Sequence, residues 1–233
     1  MTDAHENWPQ PGPIKGVIFD IHATLLDQGD ADHWLDAALA VAPHSLSAAE
    51  RTELVAFLDR IWEGARIIDP QSTRDLSFEN HSRVFHELID AGPSVDRTLA
   101  IALYDVMLDT WHAYEDTIPT LTLLREAGIR TCLLSNAGVR IRSVLDREGI
   151  TDLVDAMVLS FEVGFVKPDQ RIFRAALEAL ALPAASVLMV GDNANDDGGG
   201  ASLGLRTLIL PRTEGRVHGL NAVTALVAGV NAN

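Results

Sequence analysis

Apolar and polar positions alternate along this chain in two distinct textures. Residues 16–19, Gly-Val-Ile-Phe, form a short unbroken apolar run that stops at Asp20, the pattern of a parallel strand buried on both faces. The turn-like Asp27-Gln28-Gly29-Asp30 follows. From about residue 31 to 115 the period becomes helical and carries no strand signal. Ser47 and Glu50 have capping-box spacing, and Leu54, Leu58, Ile61, Trp62 and Ala65 continue along one face, which predicts a helix over 47–68. Val84, Phe85, Leu88 and Ile89 mark a second helix ended by Gly92-Pro93. Ser94 suits the cap of a third, carrying Leu99, Leu103, Met107 and Trp111.

Beyond Pro119 short helical and strand-like runs alternate. Four apolar runs, ending near Ser135, Ser160, Val190 and Leu210, are separated by amphipathic stretches. With the run before Asp20 they predict an α/β fold, a Rossmann-like doubly wound parallel sheet interrupted by an all-α insert. The expected division is an N-terminal arm at 1–13, a core from 14–28 and 116–233, and a helical cap domain at 29–115. The segment 220–230 reads as a last packing helix.

Composition narrows the setting. The arm has neither a basic start nor an apolar stretch, and no apolar segment approaches the roughly 18 residues that span a bilayer. A cytoplasmic protein without a membrane partner is expected. The net charge of −15 opposes nucleic acid over most of the surface, so an anionic substrate must be captured locally. The single cysteine, Cys132, lies inside an apolar run and reads as a small buried hydrophobe. Only two lysines occur, Lys15 and Lys167.

Three apolar runs end in residues suited to chemistry: Asp20, Ser135-Asn136 and Gly191-Asp192. Ligands of open parallel sheets bind outside the carboxyl ends of the strands, so these clusters are expected to converge. Asp20 with Thr24, Ser135-Asn136, Lys167-Pro168-Asp169, and Gly191-Asp192 with Asn195-Asp196 resemble, in order, the four motifs of the haloacid dehalogenase superfamily of hydrolases, in its helical-cap branch. The resemblance implies Asp20 as nucleophile, Lys167 as its charge partner, and Thr24, Ser135 and Asn136 as substrate-binding groups. It also implies a Mg²⁺ site from Asp20, Asp192, Asp196 and the main-chain carbonyl of His22. Asp197 is a neighbouring candidate that spacing to Gly199 and Gly204 places second. The Gly-rich stretch after Asp197 reads as the start of a helix that packs through small residues.

The departure from the family pattern is His22, where the phosphatase branches carry a second Asp. An imidazole suits proton transfer near neutrality, so His22 is expected as acid/base, although a nearby cation disfavours imidazolium. The leading expectation is a phosphatase acting on a small phosphorylated metabolite through an aspartyl-phosphate, in a monomer or homodimer. The alternatives are metal-free 2-haloacid dehalogenation and a catalytically weak binding protein. The dehalogenase branch is expected to lack the acid at Asp192. Phosphonate cleavage through a cap lysine has no candidate residue. Specificity belongs to the insert, with His33, Trp34, Arg66, His81 and Arg83 as candidates.

Overall fold

A computed structural model describes residues 12–231 of the chain. The expected arm falls almost wholly outside the described residues. Five parallel strands form the central sheet: β1 (Gly16–Phe19), β4 (Arg130–Ser135), β5 (Ala156–Leu159), β6 (Val187–Gly191) and β7 (Arg206–Ile209), in the order β5-β4-β1-β6-β7. The chain builds outward from β1 through β4 to β5, then returns to the other side of β1 for β6 and β7. The order therefore reverses beside β1, where open sheets leave a crevice.

Strand alternation sends side chains to two faces. Ile18, Cys132, Leu134 and Met189 pack on one face with Ile172, Phe173, Ala176 and Leu180 of α9 (Gln170–Leu180). Val17, Phe19, Leu133 and Val190 pack on the other against α6 (Thr117–Glu126), α7 (Ile141–Arg147) and α11 (Asn221–Asn231). Cys132 is buried as expected, and burial pushes its thiol up to about 12. Two short helices, α8 (Ser160–Val163) and α10 (Ala194–Asp197), follow β5 and β6. The Gly-rich stretch continues from α10 as a 3-10 helix over Gly198–Leu203.

Between β1 and α6 lie five further α-helices: α1 (Ala31–Val41), α2 (Ala48–Leu58), α3 (Ile61–Ile68), α4 (Phe78–Ala91) and α5 (Arg97–Val106). The chain passes into and out of this block through an antiparallel ribbon, in which β2 (Leu26–Asp27) pairs with β3 (His112–Ala113). So short a pair leaves no periodic trace in the sequence. The Ser47–Glu50 capping box is present, but the single helix expected over 47–68 is broken at Asp59–Arg60. The apolar period runs through the break, so pattern alone does not reveal it. The third helix is capped by Asp96, whose carboxylate accepts from the Thr98 N–H at 2.8 Å, rather than by Ser94. Helix α5 ends at Val106, leaving Trp111 beyond it.

Trp34 is core rather than ligand contact. It is buried among Leu35, Phe85 and Leu103, with its indole N–H donating to the Leu103 carbonyl at 2.8 Å. Trp34→Ala is expected to cost about 3–5 kcal/mol from the cavity alone, read as a lower denaturation midpoint. Trp34→Phe should cost much less, about 1 kcal/mol for the lost hydrogen bond.

Candidate active site

The carboxyl ends of β1, β4 and β6 and the underside of the helical block enclose a cavity of about 330 Å³. Its floor comes from the strand ends. The Asp20 N–H donates to the Val190 carbonyl at 2.9 Å, which holds the first residue after β1 in line with β6. Lys167 Nζ donates to Asp20 Oδ1 at 2.6 Å and to Asp197 Oδ1 at 2.7 Å, with all three groups buried. Asp192 completes the cluster: carboxylate oxygens of Asp20, Asp192 and Asp197 lie within 4.8 Å of one another.

Asp197, not Asp196, therefore faces Asp20 and Lys167. Its other oxygen accepts from the Asn193 N–H at 3.0 Å. The space it occupies exists because residue 191 is glycine: a Cβ there would lie 2.0 Å from the Asp197 carboxylate. Asp196 is the adjacent residue of the same short helix and lines the cavity wall instead. Adjacent helical side chains diverge by about 100°, so only one of the two can meet Lys167.

The remaining expected residues separate into those that line the cavity and those that do not. Ser135 and Asn136 line it. Asn136 is also a clamp on Lys167, since its side-chain amide donates to the Lys167 carbonyl at 3.1 Å while its oxygen accepts the Lys167 N–H at 2.7 Å. Thr24, expected to bind substrate, is not part of the wall: it is fully buried and, among the described residues, its hydroxyl has no hydrogen-bond partner. Arg66 and His81 reach the cavity. His33 is exposed elsewhere, and Arg83 pairs with Glu87 at 2.8 Å on the surface of α4.

Several wall residues carried no local sequence signal. Arg212 holds the buried Asp27 through both carboxylate oxygens, at 3.1 and 3.3 Å, and Tyr114 donates to the same group at 2.8 Å. Arg74 is fixed between Asp69 at 3.6 Å and Asp75 at 3.3 Å. This turn of the insert sits directly on the core. Ser160 accepts from the Ala137 N–H and donates to the Asp75 carbonyl. A Cβ on Gly138 would lie 2.2 Å from the Arg74 carbonyl, so glycine is what allows that approach.

Electrostatics follow from burial. Desolvation raises the Asp20 carboxyl to about 7, with Lys167 opposing the rise and Asp197 and Asp192 adding to it. Burial and Asp197 likewise raise Asp192. Burial favours loss of the Lys167 proton, but Asp197 and Asp20 more than offset this and raise its pKa. His22 moves the other way, down to about 4: desolvation dominates, the Gln28 contact opposes it, and the charge of Arg212 adds to it. Its ring lies 4.7 Å from that of Trp111, and Nε2 is 3.2 Å from Gln28 Oε1. A neutral ring facing an oxygen acceptor carries its proton on Nε2 and keeps a lone pair on Nδ1.

Three carboxylates facing one ammonium leave two negative charges unbalanced when all are ionised. An all-oxygen donor set with excess negative charge fits a hard divalent cation such as Mg²⁺. Asp20, Asp192 and Asp197 would hold it, with Asp197 replacing the expected Asp196.

The chain matches the haloacid dehalogenase-like hydrolase family over residues 14–204 and belongs to that family of enzymes. It is 31% identical over 209 residues to the glyceraldehyde 3-phosphate phosphatase of Methanothermobacter thermautotrophicus, covering 86% of this chain and 87% of that one. It is 28% identical over 207 residues to (S)-2-haloacid dehalogenase 1 of Pseudomonas sp. strain CBS-3, covering 86% of each. Its fold is shared with the magnesium-bound HAD-hydrolase YfnB of Bacillus subtilis, at a TM-score of 0.69 and 18% identity, covering 92% of this chain and 99% of that one.

The cluster generates a linked pair of predictions. Between pH 3.8 and about 7 the native Asp20 holds a proton that the unfolded chain has already released. Asp20's contribution to the stability of the ion-free protein should therefore fall as pH rises through that window and level off above it, while the buried His22 and His81, neutral in the native state, contribute in the opposite direction up to about pH 6.5, so the Asp20 part is read as the difference between wild type and Asp20→Asn. Mg²⁺ competes with the same proton, so the rise in Tm on adding Mg²⁺ should be larger at pH 8 than at pH 5.5. Asp197→Asn should remove most of that rise at pH 8, while Asp196→Asn keeps most of it; thermal unfolding with and without Mg²⁺ checks both.

Proposed function

We propose that the protein is a magnesium-dependent phosphatase that hydrolyses a small phosphorylated metabolite through a phosphoenzyme on Asp20. The observation that carries this reading is the third acid: Asp192 stands beside Asp20 and Asp197, where the charge excess calls for a divalent cation. The phosphatase relative, similar over most of both chains, agrees with it.

Asp20 is the nucleophile, because it is the carboxylate at the end of the central strand and is held by Lys167. One carboxylate oxygen attacks phosphorus, the bond to the ester oxygen breaks, and the leaving alcohol takes a proton from solvent. Asp20, Asp192 and Asp197, with the main-chain carbonyl of His22 as a further oxygen, would hold a Mg²⁺ ion, whose charge would neutralise the approach of two anions. Ser135, at the end of β4, offers a hydroxyl to a phosphoryl oxygen. Water then attacks the phosphorus of the aspartyl-phosphate, giving its proton to Nδ1 of His22 and returning Asp20 as a carboxylate. Because burial keeps His22 neutral, its part is that of base in this second half and not of acid in the first.

Expected outcomes follow for two variants. Asp20→Asn should reduce turnover of phosphate esters below detection while leaving the unfolding transition cooperative. His22→Ala should slow phosphoenzyme hydrolysis by roughly 10²-fold or more, so that phosphorylated protein accumulates in rapid-quench experiments. Failure to accumulate would remove the base role.

A second reading is favoured by His22 itself and by the dehalogenase relative. Here Asp20 would attack the α-carbon of a 2-haloacid, expel halide and form an ester that water cleaves. A panel of phosphate esters and 2-haloacids, assayed with Mg²⁺ and with chelator, separates the two. Phosphate release lost on chelation supports the phosphatase; halide release insensitive to chelator overturns it.

A further inference from the structure

Four permanent cations line the cavity: Lys167, Arg66, Arg74 and Arg212. Three are committed. Lys167 is shared by Asp20 and Asp197, Arg74 by Asp69 and Asp75, and Arg212 binds both oxygens of Asp27. Arg66 is different: among the described residues it has no ion pair or hydrogen-bond partner for its guanidinium. It lies on α3 one turn after Trp62, and both residues line the cavity. Its charge nonetheless reaches the floor, where it acts on Asp192 and Asp196. Arg66 is exposed at the rim of the cavity, and a planar fork with free donors there is suited to a carboxylate or a second phosphate.

We propose that Arg66 reads the leaving portion of the substrate, and that the substrate class is small phosphate esters whose alcohol carries a second anionic group. This rests on the phosphatase reading above. A cavity of about 330 Å³ confines such a substrate to metabolite size. Asp59 and Glu63 line the same wall and, among the described residues, lack ion-pair partners. They repel an anion everywhere except within the reach of Arg66, and they would attract an ammonium group. The charge of the substrate tail is thus the variable that the wall discriminates.

The test uses three phosphonates that are not esters and differ only in that tail: ethylphosphonate, 3-phosphonopropionate and 2-aminoethylphosphonate. Binding to the Mg²⁺-loaded protein is measured by calorimetry for the wild type, Arg66→Gln and Arg66→Lys. In the wild type 3-phosphonopropionate should bind about tenfold or more tighter than ethylphosphonate, as a charge-assisted hydrogen bond supplies. Arg66→Gln should abolish that advantage while leaving ethylphosphonate affinity within about twofold, and Arg66→Lys should keep part of it. Equal affinities in the wild type, an advantage that survives in Arg66→Gln, or tightest binding of the ammonium tail would each overturn the assignment. Absence of binding by all three would instead bring down the phosphate reading, and this inference with it.

Discussion

A single buried ammonium organises the active site. Lys167 Nζ lies 2.6 Å from Asp20 and 2.7 Å from Asp197, with its side chain 3% exposed. Removing three charges from water costs several kcal/mol for each ion, so such a cluster persists only when each charge has close partners. The fold supplies them from chain segments far apart in sequence. Parallel pairing of β1 with β4 and β6 sets Asp20 between the other strand ends, and the Asn136 amide holds the Lys167 backbone from both sides. The arrangement is incomplete in charge, and that incompleteness is what the chemistry uses.

The cavity divides its labour between two parts of the chain. The floor belongs to the sheet and carries the carboxylate cluster; the wall belongs largely to the insert and, on the proposed function, would meet whatever the phosphate is attached to. His22 sits at the join, between Trp111 and Gln28, and its surroundings decide its chemistry. Burial leaves it a neutral ring, which on the proposed mechanism accepts a proton late instead of donating one early. Turnover should accordingly favour substrates whose leaving oxygen needs little help, which matches a family that also includes halide-releasing enzymes.

Much of this was legible in the sequence, and the misses have physical causes. The sheet strands were visible as short apolar runs, fully buried in the central β1 and β6 and only partly buried in the edge strands β5 and β7. The meeting of Asp20, Ser135 and Asp192 at one cavity was legible because each directly follows or ends a central strand, whereas Lys167, beyond α8, was placed by the family pattern. Asp197 was passed over for Asp196 because spacing counts cannot tell which way adjacent helical side chains point. The decisive cue was Gly191, whose missing Cβ makes room for one particular carboxylate. Thr24 shares its loop with Asp20 but faces inward. Arg212 and Asp27, separated by 185 residues, meet only once the chain has folded. The break after α2 was hidden because its apolar face continues through it.

The β2–β3 ribbon has an architectural consequence. Leu26 pairs with Ala113 and Asp27 with His112, so the incoming and outgoing strands of the insert stand side by side in one doorway. Closing a segment whose ends already touch depends weakly on its length, with a doubling costing only about 0.6 kcal/mol. Lineages could therefore enlarge, trim or resurface what hangs beyond the doorway without disturbing the strands behind it. On the proposed function, selectivity and reactivity are encoded on separable stretches of gene, free to drift at different rates.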